Sequence, residues 1–127
     1  MLIRDATSCP HERVIDRTLL CELLHPDKHA GASGLSCSIA HAILPPGEAS
    51  LPHMLETSTE LYYILSGTGE MHIDDESAAV RPGQIVLIPP NARQYIRNTG
   101  PGDLVFLCVV APKWEAADEK LLVPPVP

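Results

Sequence analysis

Aromatic side chains are scarce in this chain: among 127 residues there are one Trp, one Phe and three Tyr. Aliphatic residues must therefore build the core of a domain this size. Long apolar runs are also missing. The longest, Leu104–Ala111, is far below the roughly 20 residues a membrane helix requires. The opening Met1-Leu2-Ile3-Arg4-Asp5 lacks the apolar stretch of an export signal, so a cytoplasmic location is expected. Nine Lys and Arg against 16 Asp and Glu leave a net charge of −7, with the basic residues scattered. That balance gives no reason to expect nucleic acid or an anionic membrane as partner. The four cysteines, Cys9, Cys21, Cys37 and Cys108, form no CxxC pair, so no zinc ribbon or thioredoxin-type motif is indicated. Without an export signal they are expected to be reduced, mostly buried thiols.

Turn signals, by contrast, are plentiful. Thirteen prolines and eight glycines punctuate the chain and leave little room for long helices. Between them lie short runs rich in Ile, Val, Leu and Tyr: Ser38–Leu44, Leu61–Leu65, Gly69–Asp74, Gln84–Ile88, Gln94–Asn98 and Leu104–Val110. Many short strands with turns between them read as a β-sandwich or barrel. No repeat or shift in composition marks a second domain, so one domain spans 1–127, with a barrel over about 18–111. Toward the N-terminus, Val14, Ile15, Leu19, Leu20, Leu23 and Leu24 suit a helix face. Thr18–Leu24 suits a strand ending at Pro26 equally well. Pro112 followed by Trp114–Lys120 reads as one short terminal helix, and Val123–Pro127 as an extended, mobile tail.

The runs Leu61–Leu65 and Glu70–Asp74 flank Ser66-Gly67-Thr68-Gly69, a tight-turn signal. A two-residue turn at Gly67-Thr68 would set Ile64 opposite Met71 and Tyr62 opposite Ile73. Glu60, Tyr62, Ile64, Met71 and Ile73 then share one mostly apolar face. The opposite face takes Leu61, Tyr63 and Leu65 with Glu70, His72 and Asp74. A carboxylate on an apolar face costs several kcal/mol if unpaired. Glu60 is thus expected at a barrel mouth or beside something positive, a metal ion included.

Two stretches carry a family resemblance. Gly47-Glu-Ala-Ser-Leu-Pro-His53-Met-Leu55-Glu-Thr-Ser-Thr-Glu60, running on to Gly67, resembles the first cupin motif. Gly83-Gln-Ile-Val-Leu-Ile-Pro89-Pro-Asn91-Ala-Arg-Gln94-Tyr-Ile-Arg-Asn98 resembles the second. The resemblance implies an all-β jelly-roll barrel, the double-stranded β-helix, with a functional pocket inside. The family's metal site uses two histidines and a Glu from the first motif and a His from the second. Carried over by position, His53 and Glu60 match, Leu55 replaces the second histidine and Gln94 the last. Asn91 stands where a glycine is usual, which its tolerance of left-handed backbone angles allows.

The implied metal set is therefore His53, Glu60 and Gln94, one nitrogen and two oxygen donors. The implied cofactor is a divalent ion such as Mn, Fe, Ni or Zn. The competing expectation is a degenerate, metal-free pocket in which these three bind each other or an organic ligand. Glu60 and Tyr62, two residues apart on one strand face, are the candidate catalytic groups. Ile96 and Asn98 share the parity of Gln94, with Asn98 suited to tying a strand end. His72 falls on the face away from Glu60. His41, between Ile39 and Ile43, reads as a core residue, and His11, His25 and His29 as surface residues. Cys108 reads as a buried thiol beside the pocket. Three functions compete: a metal-dependent enzyme on a small polar molecule, a non-catalytic binding module, and a filled structural barrel. The apolar face of Leu61, Tyr63 and Leu65, together with the resemblance, implies a homodimer.

Overall fold

The computed structural model describes residues 1–122, so the expected mobile tail over Val123–Pro127 lies outside the described residues. Eleven strands are assigned among them: β1 Glu12–Arg13, β2 Leu19–Leu24, β3 Ser38–Leu44, β4 His53–Leu55, β5 Thr59–Ser66, β6 Gly69–Ile73, β7 Glu76–Val80, β8 Ile85–Ile88, β9 Gln94–Asn98, β10 Leu104–Ala111 and β11 Glu119–Leu121. They form a six-stranded sheet, β1-β2-β3-β10-β5-β8, facing a five-stranded sheet, β11-β4-β9-β6-β7. The central strands alternate. In β3 and β10 every second side chain is buried, and the intervening ones are partly exposed, the period-2 pattern of a sheet with one face on a core.

The core is aliphatic, as the shortage of aromatics requires. Leu44, Ile64, Met71, Val80, Ile88, Ile96 and Leu104 pack around Phe106, whose ring lies 4.7 Å from that of Tyr62. Asn98 ties the closed end. Its Nδ2 donates to the carbonyls of Leu44 and Gly102, and its Oδ1 accepts from the Gly100 amide. Asn91 adopts φ 64°, the left-handed conformation expected at that position.

The hairpin expectation is corrected. β5 pairs with β10 and β8, while β6 pairs with β9 and β7, so the turn at Gly67 passes the chain from one sheet to the other. Glu60, Tyr62, Ile64 and Met71 still share the interior, because the two sheets face each other. Gly67 has φ 81°, and a Cβ at this position would run into the backbone carbonyl of Asp103, a fit that leaves no room for a side chain.

The chain ends differ from expectation too. Of the stretch Thr18–Leu24, Leu19–Leu24 forms a strand, since β2 finds a partner in β3. The terminal helix is a single 3₁₀ turn at Ala116–Asp118 followed by β11. Asp118 accepts from the amides of Thr57 and Ser58, and β11 pairs with β4. These tertiary bonds outcompete a lone helical turn. His25 is buried rather than surface, with Nε2 at 2.9 Å from the Trp114 carbonyl. His41 leaves the core for the outer face, where its Nδ1 lies 2.8 Å from Nε2 of His11. The cysteines are not all free: Cys9 and Cys21 form a disulfide, and Cys37 and Cys108 remain thiols.

Candidate functional site

A cavity of about 630 Å³ opens at one end of the barrel, within the range of small-molecule sites. Its wall grades from polar to apolar along three strands. Register places Ser38, Val110 and Glu60 in one cross-strand row, then Ala40, Cys108 and Tyr62, then Ala42, Phe106 and Ile64. The small residues of the first two rows leave the space open. Phe106 and Ile64 close it.

Of the residues singled out in the sequence, His53, Glu60, Tyr62 and Cys108 line the cavity. Gln94 sits behind them, fully buried, and its Nε2 donates to Glu60 Oε1 at 2.9 Å. His53 is the cross-strand partner of Gln94. Its Nδ1–H donates to the Leu51 carbonyl at 2.7 Å, which fixes the ring and turns Nε2 inward. Leu55 is buried on the same face of β4, and contributes no donor. His72 lies outside, stacked on Tyr95 and bonded to Glu70.

Four acidic residues that the sequence did not flag, Glu12, Asp16, Glu22 and Glu119, join the wall, and two of them lie near His53 and Glu60. Asp16 arrives on the N-terminal segment, held by the bond from the Leu51 amide to its carbonyl. One carboxylate oxygen accepts from the Thr18 amide, and the other lies 3.5 Å from His53 Nε2. Glu119 accepts from the Trp114 indole N–H at 2.8 Å. Neither has a local signature, because both reach the site from chain ends that fold back over the barrel mouth. Their charges and burial act on each other. Burial pushes the Glu60 carboxyl up to about 7, against the opposing pull of His53 and the Gln94 hydrogen bond. Burial likewise raises Glu119 and drives the Tyr62 phenol and the Cys108 thiol well upward. Tyr62 and Cys108 therefore stay protonated at neutral pH, and Tyr62 can donate a hydrogen bond.

The double-stranded β-helix fold now has its family. The cupin-domain family model matches residues 40–110, and the chain belongs to that family. An uncharacterised protein of Methanocaldococcus jannaschii is 38% identical over 107 residues, 84% of this chain and 83% of its own. An oxalate-binding protein of Thermotoga maritima is 36% identical over 67 residues, 53% of this chain and 55% of its own. Among solved structures, a predicted oxalate decarboxylase of Thermotoga maritima superposes with TM-score 0.77 at 25% identity, covering 87% of this chain and 99% of that one. The Streptomyces nucleoside dehydratase Pac13, also seen with uridine, shares the fold with TM-score 0.75 at 17% identity, over 96% of this chain and about nine-tenths of its own.

Cupins commonly hold a divalent metal ion, and the donors here do not fit the family's four-ligand set. Leu55 offers nothing, the Gln94 amide turns N–H rather than oxygen toward Glu60, and His53 Nε2 faces Asp16. Among the described residues no group of three or more His, Cys, Asp or Glu is placed to hold an ion.

Proposed function

We propose that the chain binds a small neutral or cationic molecule with hydrogen-bond donors inside the barrel, and that Glu60 and His53 exchange a proton with it. One observation carries this reading: a buried carboxyl facing the cavity, raised to about 7, with an oriented imidazole in the same wall. A group titrating near the working pH serves as general acid and base alike. The chemistry this supports is proton transfer at a bound ligand, with the Tyr62 hydroxyl as orienting donor. Glu12, Asp16, Glu22, Glu60 and Glu119 line the cavity against Lys28 and His53, and Lys28 already pairs with Glu22. That wall repels dianions, which argues against carrying over oxalate from the Thermotoga protein. Calorimetric titration of uridine, putrescine and oxalate checks the reading. Binding of uridine or putrescine that weakens in Glu60→Gln supports it. Oxalate as the sole binder, or binding indifferent to Glu60, overturns it.

A second reading, a three-donor ion site at His53, Glu60 and Gln94, draws on one atom. Gln94 Oε1 is buried with no hydrogen-bond partner, a costly state for an acceptor that a bound cation would relieve. Elemental analysis of protein purified without tags, reductant or added metal separates the two: stoichiometric metal that is lost in Glu60→Ala supports the ion, its absence the metal-free pocket.

We further infer that a second copy covers the outer face of the six-stranded sheet. Ile39, Val109, Leu61 and Leu87 form one outward row, and Tyr63 and Ile85 continue the next. Ile85 and Leu87 are each 63% exposed. An apolar face this continuous is characteristic of an interface. A monomeric mass by light scattering at micromolar concentration would remove the claim.

A further inference from the structure

A disulfide, Cys9–Cys21, and a histidine pair, His11 and His41, lie on the outer face of the six-stranded sheet, away from the cavity. Strand alternation turns Cys21 and His41 to that face. Leu20 and Glu22 line the cavity, so Cys21 between them points outward. Ala40 lines the cavity and Ala42 lies in the core, so His41 also points outward. Cys21 and His41 are direct cross-strand partners, and such pairs hold their Cβ atoms about 5 Å apart. Cys9 and His11 reach that face from the N-terminal segment, through contacts to β2 and β3. Cys9 bonds to Cys21 with Cα atoms 6.0 Å apart, and His11 Nε2 lies 2.8 Å from His41 Nδ1. The disulfide and the histidine pair are thus neighbours through the Cys21–His41 cross-strand pair.

We propose that, once a dithiol reductant opens the disulfide, Cys9, His11, Cys21 and His41 form a four-coordinate site for zinc or a similar borderline-soft divalent ion. The step balances. The disulfide takes two electrons and two protons from the dithiol, which leaves as its own disulfide, and the ion then displaces the two thiol protons. Two sulfurs and two imidazoles are a donor set that tetrahedral zinc adopts. Arg4 Nη2 lies 3.9 Å from Cys9 Sγ, a cation that favours the thiolate. While the sulfurs are joined they cannot ligate, so disulfide and ion are alternatives. Either one fastens the N-terminal segment to β2 and β3. That segment carries Glu12, Val14, Ile15 and Asp16 into the cavity wall, so the mouth of the pocket is held in oxidising surroundings by the bond and in reducing surroundings by the ion.

The test uses the full chain, reduced with dithiothreitol, desalted without oxygen and titrated with Co²⁺ and then Zn²⁺. One cobalt per chain is expected, with the visible bands of tetrahedral cobalt and a sulfur-to-cobalt charge-transfer band, both removed by zinc. The oxidised chain should show neither. Cys9→Ser and His11→Ala, both on the N-terminal arm rather than in the core, should each weaken zinc on the order of tenfold or more. Lack of ion uptake by the reduced chain overturns the proposal. So does cobalt without a sulfur band, equal uptake by the oxidised chain, or uptake that survives Cys9→Ser and is lost in His53→Ala, which would put the ion in the barrel.

Discussion

The two ends of the barrel are built from the same strands and differ in what those strands bury. At one end β3, β5 and β10 contribute Leu44, Ile64 and Leu104, all fully buried. At the other they contribute Ser38, Glu60 and Val110 around the cavity. Large aliphatic side chains fill the first end, and small or polar ones leave the second open. Core packing therefore concentrates at the closed end and the candidate site at the open one, where a buried carboxyl is tolerated because Gln94 and His53 attend it.

Breaking the closed end should have the largest effect. Ile64→Ala is expected to cost about 2–5 kcal/mol, the usual toll of a core cavity, read by urea denaturation. Ala40→Leu, which fills the open end instead, should change stability far less and abolish ligand binding in calorimetry. Equal destabilisation by the two substitutions would erase the distinction between the ends.

The next effect is on pH dependence. Glu60 holds its proton to about 7 in the folded chain against an ordinary value of 4.5. Between those values the folded state binds more protons than the unfolded, so stability from this group is fully present below about 4.5 and falls as pH rises to about 7. The loss is on the order of 3 kcal/mol. Glu60→Gln should flatten that slope in denaturation series across this window. An unchanged slope would mean that Glu60 is not the titrating group.

Leu55→His sharpens the comparison at the open end. It supplies one of the two imidazoles missing from the family's set, beside His53 on one face of β4, and should raise divalent-metal affinity at least tenfold, about 1.4 kcal/mol. Added Ni²⁺ or Zn²⁺ should then raise the melting temperature, and Glu60→Ala should cancel the response in the barrel. No metal-dependent shift in Leu55→His would show that residue 55 does not reach the site.

Leu87→Asp should have the smallest effect on the fold, within about 0.5 kcal/mol for an exposed position, while halving the mass seen by light scattering. A dimeric mass in this variant would move the interface elsewhere.

Much of the interior was legible in the sequence because period-2 alternation does not depend on which strand pairs with which. Glu60, Tyr62, Ile64 and Met71 share the interior although β5 and β6 never pair. The glycines and prolines of the two motifs carry turns by local backbone chemistry, and Asn91 follows the same rule. Strand pairing itself was not legible, since the Gly67 turn reads locally as a hairpin while its two flanking strands find their partners in different sheets. The ligand-type residues of the N-terminal segment were equally silent. Cys9 and His11 look like isolated polar positions until β2 and β3 bring Cys21 and His41 beneath them.

By itself, then, the sequence determined the all-β class and the aliphatic core, because these rest on alternation and turn chemistry within a few residues, while the resemblance of its two motifs marked His53, Glu60 and Gln94 as an inward set. Only the tertiary structure decided which carboxylates join that set. Asp16 and Glu119 reach the cavity from opposite ends of the chain through backbone bonds to residues 51–56, and a contact across such separations is fixed by the closure of the barrel, not by any local preference of the residues that make it.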